Sequence, residues 1–156
     1  MLQEVLEHIH NYFLKQPNPG KYTISGGVIS PLPTFKEGQR IWVVGSDLND
    51  GVYTYHSDGI TDDDDIEAAG LQDETFAGTI CALAVPPAVL ALSGEIRKWV
   101  ETYQEDVVNS PFESESFGGY SYTLKGTGTA SGGNGGPISW RTIYGKQLER
   151  WRRPCL

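Results

Sequence analysis

The stretch PPAVLALSGEIRKWVETYQ, residues 86–104, decides the expected fold. Two prolines open it, and proline is tolerated in the first turn of a helix, where its missing N–H is not needed. The apolar residues that follow recur at intervals of three and four, which predicts an amphipathic helix. They are Val89, Leu92, Ile96, Trp99, Val100 and Tyr103. A helix over residues 87–104 is therefore expected to form the core.

The same spacing predicts one further helix towards each end of the chain. Residues 2–14 carry an apolar stripe that stops before the helix breakers of residues 17–20, PNPG. The stripe consists of Leu2, Val5, Leu6, Ile9 and Phe13. Residues 137–156 offer Ser139 as an N-cap, followed by a second stripe. That stripe consists of Trp140, Ile143, Tyr144, Leu148 and Trp151.

Between the first helix and the core helix, residues 21–85 show strand patterns separated by turn signals. Gly26 and Gly27 can supply the positive φ angles of a two-residue hairpin turn, and the NDG of residues 49–51 is a second turn signature. β-favouring runs occupy residues 21–25, 28–30, 40–45, 52–55 and 76–85. The expected class is α+β: a small bundle of three main helices with an inserted small antiparallel β-sheet.

Charge and composition divide the 156 residues into a body, a loop and a tail. Residues 1–125 form the expected acidic body, and residues 126–136 are almost all Gly, Ser and Thr, which predicts a flexible loop. Residues 137–156 form the expected basic C-terminal helix and tail. Residues 1–136 hold 19 acidic residues against 7 Lys and Arg, whereas residues 137–156 hold 1 against 5.

This charge distribution limits the classes of partner. An acidic body repels phosphate, which disfavours sequence-independent DNA binding through counterion release. Two interpretations of the basic tail stay open, namely contact with an acidic protein surface and complementation of a helix macrodipole. No apolar stretch reaches the roughly 20 residues of a membrane span, so we expect no membrane partner and a chain that is made in the cytoplasm.

The sequence predicts no catalytic, cofactor or metal site. The acidic run of residues 62–65 lacks the glycine and distal Glu of a calcium loop, and is expected to be a solvated loop or hairpin tip. The glycines of residues 126–132 lack a following Gly-Lys-Ser/Thr. Cys81 and Cys155 have no metal or redox spacing. A cluster of His with acidic residues around His56, or a Cys/His pair at Cys81, would instead indicate a small hydrolase.

The segment SESFGGYSY, residues 114–122, follows the Trp-bearing helix and resembles head-tail connector (adaptor) proteins of long-tailed phages and prophages. Other blocks resemble the Firmicutes-type branch with a β insertion. They are EGQ (37–39), GSDLNDGVYTY (45–55), TFAGT (75–79), LAVP (83–86) and LERW (148–151).

The resemblance implies a helical-bundle subunit of a twelvefold ring in the virion neck. Its partners would be other copies of itself, the portal protein, a stopper or tail terminator protein, and the capsid. Genomic DNA would pass through the ring without sequence-specific binding. A tail-completion or stopper protein, or another tail-side module, is the alternative.

Two sets of site residues accompany this expectation. The first set would dock on the portal or a neighbour, and it comprises Trp140, Tyr144, Arg150, Trp151, Arg152 and Arg153. The second set would form a subunit contact, and it comprises Glu113, Glu115, Phe117, Tyr120 and Tyr122. Deleting residues 139–156 is expected to leave a folded acidic domain that no longer enters particles.

Overall fold

A computed structural model of the chain describes residues 1–109, 114–117, 120–123 and 139–154, with side-chain environments for residues 1–103 and 139–154. The helices are α1 (Leu2–Ile9), α2 (Pro87–Asn109) and α3 (Trp140–Glu149). The strands are β1 (Leu14–Ser25), β2 (Val28–Ser30), β3 (Gln39–Val44), β4 (Gly51–His56), β5 (Gly59–Thr61), β6 (Glu74–Leu83), β7 (Ser114–Phe117) and β8 (Tyr120–Thr123). Glu113, Cys155 and the predicted flexible loop of residues 126–136 lie outside the described residues.

A six-stranded antiparallel sheet, in the order β2-β1-β6-β3-β4-β5, dominates the fold. The expected helical bundle with a small inserted sheet is therefore wrong: the chain is mostly sheet, curled towards a barrel, with three helices. The long central strand β6 pairs with β1 on one side and with β3 on the other. The sheet predicted from the sequence is too small chiefly because the first half of β1 was not predicted as a strand.

The predicted first helix is shorter than its apolar stripe. α1 ends at Ile9, and His10 takes a left-handed conformation with φ 52°. Phe13 also has φ 52°, and β1 begins at the next residue, Leu14. Two left-handed residues so close together redirect the chain, so residues 10–14 are not helical and the β region starts before residue 21.

Pro17 and Pro19 lie inside β1 instead of ending a helix. Among the strands that the structure describes, β6 is the only neighbour of this part of β1, because β2 joins on the other side from Thr23 onward. Backbone N–H groups point alternately to the two sides of a strand. The backbone N atoms of Pro17 and Pro19 therefore point the same way as the Thr23 N–H, away from β6. Their missing N–H groups therefore fall at an open edge, where proline is tolerated.

Turns join the strands largely where the sequence predicts them. Gly26 and Gly27, with φ 58° and 80°, form the two-residue turn between β1 and β2. The predicted strands of residues 28–30, 40–45, 52–55 and 76–85 are confirmed as β2, β3, β4 and β6, with ends shifted by one or two residues. The short strand β5 was not predicted.

The sheet buries apolar side chains on both faces. Side chains alternate along β6, so Cys81 and Leu83 face the helices while Ile80 joins the opposite cluster. The helix-side cluster includes buried residues of α1, α2 and α3, among them Trp99, which is 2% exposed. Trp42 is half-buried on the same side and stacks on Tyr12 with ring centroids 4.0 Å apart.

The core helix is confirmed as α2, which extends to Asn109. α3 confirms the predicted C-terminal helix over a shorter range. Ser139 occupies its N-cap with φ −133°, but its side chain makes no capping hydrogen bond. The three helices contact one another as well as the sheet.

Candidate functional site

The predicted docking residues of the C-terminal segment differ in exposure. Trp140 and Tyr144 belong to the helix-side core and are 3% and 5% exposed. Trp151 is half-buried, edge-on to Phe13 at 6.1 Å. The arginines that follow α3 at positions 150, 152 and 153 are exposed. The arginines are thus fully accessible to a partner in this conformation, Trp151 is partly accessible, and Trp140 and Tyr144 are not.

Hydrogen bonds fasten the C-terminal segment to the end of α1. The backbone N–H of Arg153 donates to the Ile9 carbonyl oxygen at 2.9 Å, and Asn11 Nδ2 donates to the Trp151 carbonyl oxygen at 3.0 Å. Arg152 Nη2 donates to the His8 carbonyl oxygen at 3.3 Å. A cation at a helix C-terminus is favourable, so Arg152 complements the dipole of α1, a neighbouring helix.

Four exposed arginines surround this junction: Arg141, Arg150, Arg152 and Arg153, which we call the basic end. Arg141 lies over the Trp140 ring at 4.5 Å and Arg150 lies over the Trp151 ring at 4.9 Å. Burial, followed by the charges of Arg152 and Arg141, lowers the pKa of the nearby His8. The basic end is therefore a concentrated positive surface on an otherwise acidic chain.

Four of the five predicted subunit-contact residues lie on the hairpin of β7 and β8. Glu115 pairs with Tyr122 across the hairpin, and Phe117 pairs with Tyr120. Glu113 precedes the hairpin and lies outside the described residues. The pairing brings these four residues together on one short element, and their contact role stays a prediction.

The acidic run of residues 62–65 forms a loop, as predicted, with Asp65 exposed, but Asp63 and Asp64 are partly buried against α1 instead of fully solvated. Asp63 Oδ2 accepts hydrogen bonds from the Gln3 N–H at 2.8 Å and from the Met1 ammonium at 2.9 Å. Asp64 accepts from the Leu2 N–H at 3.2 Å and from the same ammonium at 3.1 Å. Burial lowers the pKa of the Met1 ammonium, but the hydrogen bonds and charges of the two aspartates outweigh it and raise the pKa overall. The run caps α1.

His56 lies between two carboxylates that are distant in the sequence. Its Nδ1 contacts Glu37 Oε1 and its Nε2 contacts Asp65 Oδ1, each at 2.6 Å. Hydrogen bonds that the imidazole donates to Asp65 and then to Glu37 raise the pKa of His56. The Ser57 N–H chiefly lowers the pKa of Glu37, and the Thr61 hydroxyl chiefly lowers that of Asp65. Through these two contacts, His56 of β4 is joined to the segment before β3 and to the loop after β5.

This cluster has the residue types that would indicate a hydrolase, but both ring nitrogens of His56 are engaged by carboxylates. A general base needs a nitrogen within reach of the substrate proton. In this arrangement the cluster of Glu37, His56 and Asp65 holds its segments together, and we call it the His56 clamp. The expected absence of catalytic residues stays a prediction. Sequence patterns could not have found the His56 clamp, because its three members belong to separate segments with no shared spacing.

Cys81 is a buried thiol that is bonded to no other cysteine in the described part of the chain, and its burial raises its pKa. A raised thiol pKa disfavours the thiolate that acts as a nucleophile or metal ligand. Within residues 1–109, 114–117, 120–123 and 139–154, no three His, Cys, Asp or Glu side chains converge as a metal site. The described helices include none that is long and apolar enough to cross a bilayer.

No protein family, curated protein or solved structure matches the chain. The function must therefore be argued from its own residues and geometry.

Proposed function

We propose that the chain is a structural virion protein, a head-tail connector (adaptor) that forms a ring between the portal and the next neck or tail component. The observation that carries the proposal is the exposed basic end on an acidic body. Head-to-tail contacts that close a ring require two different, complementary faces on each subunit. Opposite charges at separate places on one chain provide such a pair of faces.

The sequence blocks support the same assignment. The segment that most resembles connector proteins, residues 114–122, includes β7 and most of β8 and begins five positions after the last residue of the long helix α2. The helical bundle that the resemblance implied is absent, so the proposal rests on the motifs and the charge distribution and not on the fold.

The acidic body suits the channel that we assign to the ring. A wall that repels phosphate lets DNA slide through without binding it. The portal protein, a stopper or tail terminator protein and other copies of this chain are the proposed partners, and the virion neck is the proposed location.

The six-stranded sheet, found in place of the expected helical bundle, removes the fold support for an adaptor and leaves a tail-completion or stopper protein as the second candidate. Such a tail-side module would use the same charge complementarity at a different level of the neck. The two candidates differ in whether the basic end contacts the portal.

Electron microscopy of purified particles from the source phage distinguishes these candidates. Density for this chain in a ring directly beneath the portal is expected. Density at the next level of the neck would replace the adaptor assignment with the stopper assignment, and absence from the particle would contradict both.

A charge-reversal variant tests the role of the basic end more directly. Changing Arg150, Arg152 and Arg153 to Glu should greatly reduce incorporation into particles, because it replaces attraction to an acidic partner by repulsion. The matched control changes Lys21, Lys36 and Lys98 to Glu, which alters the net charge equally at exposed positions outside the C-terminal segment. Incorporation is measured by quantifying the chain in purified particles, and equal incorporation of both variants would contradict the docking role.

Deletion of residues 139–156 is a poorer test than the sequence suggested. The deletion removes Trp140, Ile143, Tyr144 and Leu148, all of which are buried in the helix-side core. Loss of these contacts is expected to destabilise the remaining chain, so failure to enter particles would not isolate docking.

A further inference from the structure

A cavity of about 180 Å³ lies between β3, α2 and the loop that caps α1. Arg40 of β3 and Ser93 and Arg97 of α2 contribute hydrogen-bond donors to its lining, and Asp63 and Asp64 contribute the acidic side. The two arginines are 57 positions apart in the sequence, so no local pattern marks this site.

Arg40, Ser93 and Arg97 each line the cavity, and each carries a buried polar atom with unused hydrogen-bonding capacity. Ser93 is only 2% exposed, and its hydroxyl is buried without a hydrogen-bond partner among the described residues. The Nε atoms of Arg40 and Arg97 are likewise buried and unpartnered within that part of the chain. Buried polar groups, and charged ones above all, are costly to leave unpaired, so three such residues at one cavity point to an acceptor that binds there.

The nearby carboxylates are already engaged elsewhere. Asp63 and Asp64 accept from the Met1 ammonium and from backbone N–H groups at the start of α1. Asp65 accepts from Thr61 and contacts His56, although the charge of Arg40 also contributes to lowering its pKa. None of these carboxylates forms an ion pair with Arg40 or Arg97 within 4.0 Å.

The charge around the cavity selects the class of ligand. Arg40, Arg97, Asp63 and Asp64 line the cavity, and the two aspartates are bound by the Met1 ammonium, which does not line it; these five groups sum to one positive charge. A monoanion neutralises this environment, whereas a phosphate dianion would be repelled by the aspartates. The planar guanidinium fork matches a carboxylate, and a cavity of this size accommodates such a small group.

An adjoining cavity of about 300 Å³ shares Arg40 with this site and adds Lys15, Lys36 and Glu37. Four of the seven Lys and Arg residues in the acidic body therefore line the two cavities. Clefts lined mainly by one sign of charge attract ions of the opposite sign, so the adjoining cavity provides a positively charged approach.

We propose that Arg40, Ser93 and Arg97 form a binding site for a single carboxylate group. The carboxylate comes either from a small organic acid or from an Asp or Glu side chain of a second copy of the chain. This proposal does not depend on the virion assignment.

The test follows the Nε–H signals of Arg40 and Arg97 by ¹⁵N nuclear magnetic resonance on the full chain. Sodium acetate is titrated against sodium chloride at matched ionic strength, and sodium phosphate is titrated separately. Saturable shifts of both signals with acetate, and not with chloride, are expected. The same shifts on concentrating the protein without acetate would support the site and identify a second copy as the source.

Three variants probe the assignment. Arg97→Gln should weaken acetate binding by about tenfold or more, since a charged hydrogen bond is lost, and Ser93→Ala should weaken it to a smaller extent. Lys98→Gln changes an exposed neighbour on the same helix and should leave binding unchanged. Lack of an acetate-specific shift in the unmodified chain, or saturable binding of phosphate but not acetate, would overturn the proposal.

Discussion

At the scale of single residues, His56 has two charged partners that no sequence spacing indicates. Glu37 and Asp65 contact opposite nitrogens of its ring at 2.6 Å. These contacts favour the protonated imidazole and the ionised carboxylates together. The clamp is therefore expected to be strongest at pH values where all three groups are charged.

His56→Gln should destabilise the protein most between about pH 5 and 6. The raised pKa of His56 gives stability that is fully present below the unfolded-state pKa and is lost as the pH rises through the folded-state pKa. The lowered pKa values of Glu37 and Asp65 give stability that is lost in acid. Urea unfolding across the pH range measures the difference between the variant and the unmodified chain.

The control for this prediction is His10→Gln, which removes an exposed imidazole whose ring makes no hydrogen bond among the described residues. A difference for His56→Gln that does not shrink towards alkaline pH would show that its ion contacts contribute nothing.

Substitution of Asp63 tests the capping of α1, because Asp63 accepts a hydrogen bond from the Gln3 N–H, 60 positions away in the sequence. Asp63→Ala should lower the free energy of unfolding by about 1 kcal/mol, the usual cost of losing a helix N-cap acceptor. Glu67→Ala removes one exposed acid from the same loop and serves as the control. Thermal unfolding at neutral pH should separate the two variants, and equal melting temperatures would contradict the capping role.

At the scale of elements, close packing between strands explains why β6 contains a glycine. A Cβ atom at Gly78 would collide with the Val44 carbonyl oxygen and contact the Phe76 ring. By contrast, a Cβ atom at Gly145 in α3 would meet no atom within 4 Å. The two glycines are expected to respond to alanine in opposite ways.

Gly78→Ala should lower the free energy of unfolding by about 1–3 kcal/mol through overpacking. Gly145→Ala should raise it by up to about 1 kcal/mol, because alanine favours the helical backbone. Urea unfolding monitored by circular dichroism measures both changes. A tolerated Gly78→Ala would mean that β3 and β6 lie farther apart than the structure has them.

At the scale of the whole molecule, α3 completes a core that begins with α1. Leu148 is 1% exposed and belongs to the cluster that also includes residues of α1, α2 and the sheet. Hydrogen bonds between residues 151–153 and the C-terminal end of α1 with Asn11 reinforce this contact. The C-terminal segment is thus part of the folded body.

Leu148→Ala should lower the free energy of unfolding by about 2–5 kcal/mol, the range for truncating a buried leucine. Leu48→Ala, at a position 53% exposed, is the matched control and should have little effect. Circular dichroism and Trp fluorescence should report the same urea midpoint if the helices and the sheet unfold together. Separate midpoints, with the sheet unaffected, would indicate that α3 is an independent appendage.

The sequence by itself determined the elements whose signals are local. The stripe and the prolines of residues 86–104 predicted α2, Gly26 and Gly27 predicted a turn, and the stripe after Ser139 predicted α3. Periodicity and turn chemistry depend on neighbouring residues, so they can be recognised without the fold. The acidic body and basic tail are likewise a property of the sequence.

Only the tertiary structure decided how large the sheet is and which polar residues meet. Pro17 and Pro19 resemble helix breakers, yet they fit β1 because that part of the strand has an open edge. Local sequence patterns predict that the acidic run of residues 62–65 is a solvated loop. In the folded chain, Asp63 and Asp64 of this run cap α1. The His56 clamp and the donors at Arg40, Ser93 and Arg97 join residues from separate elements. Such contacts depend on pairing across long stretches of chain, which composition and spacing do not encode locally.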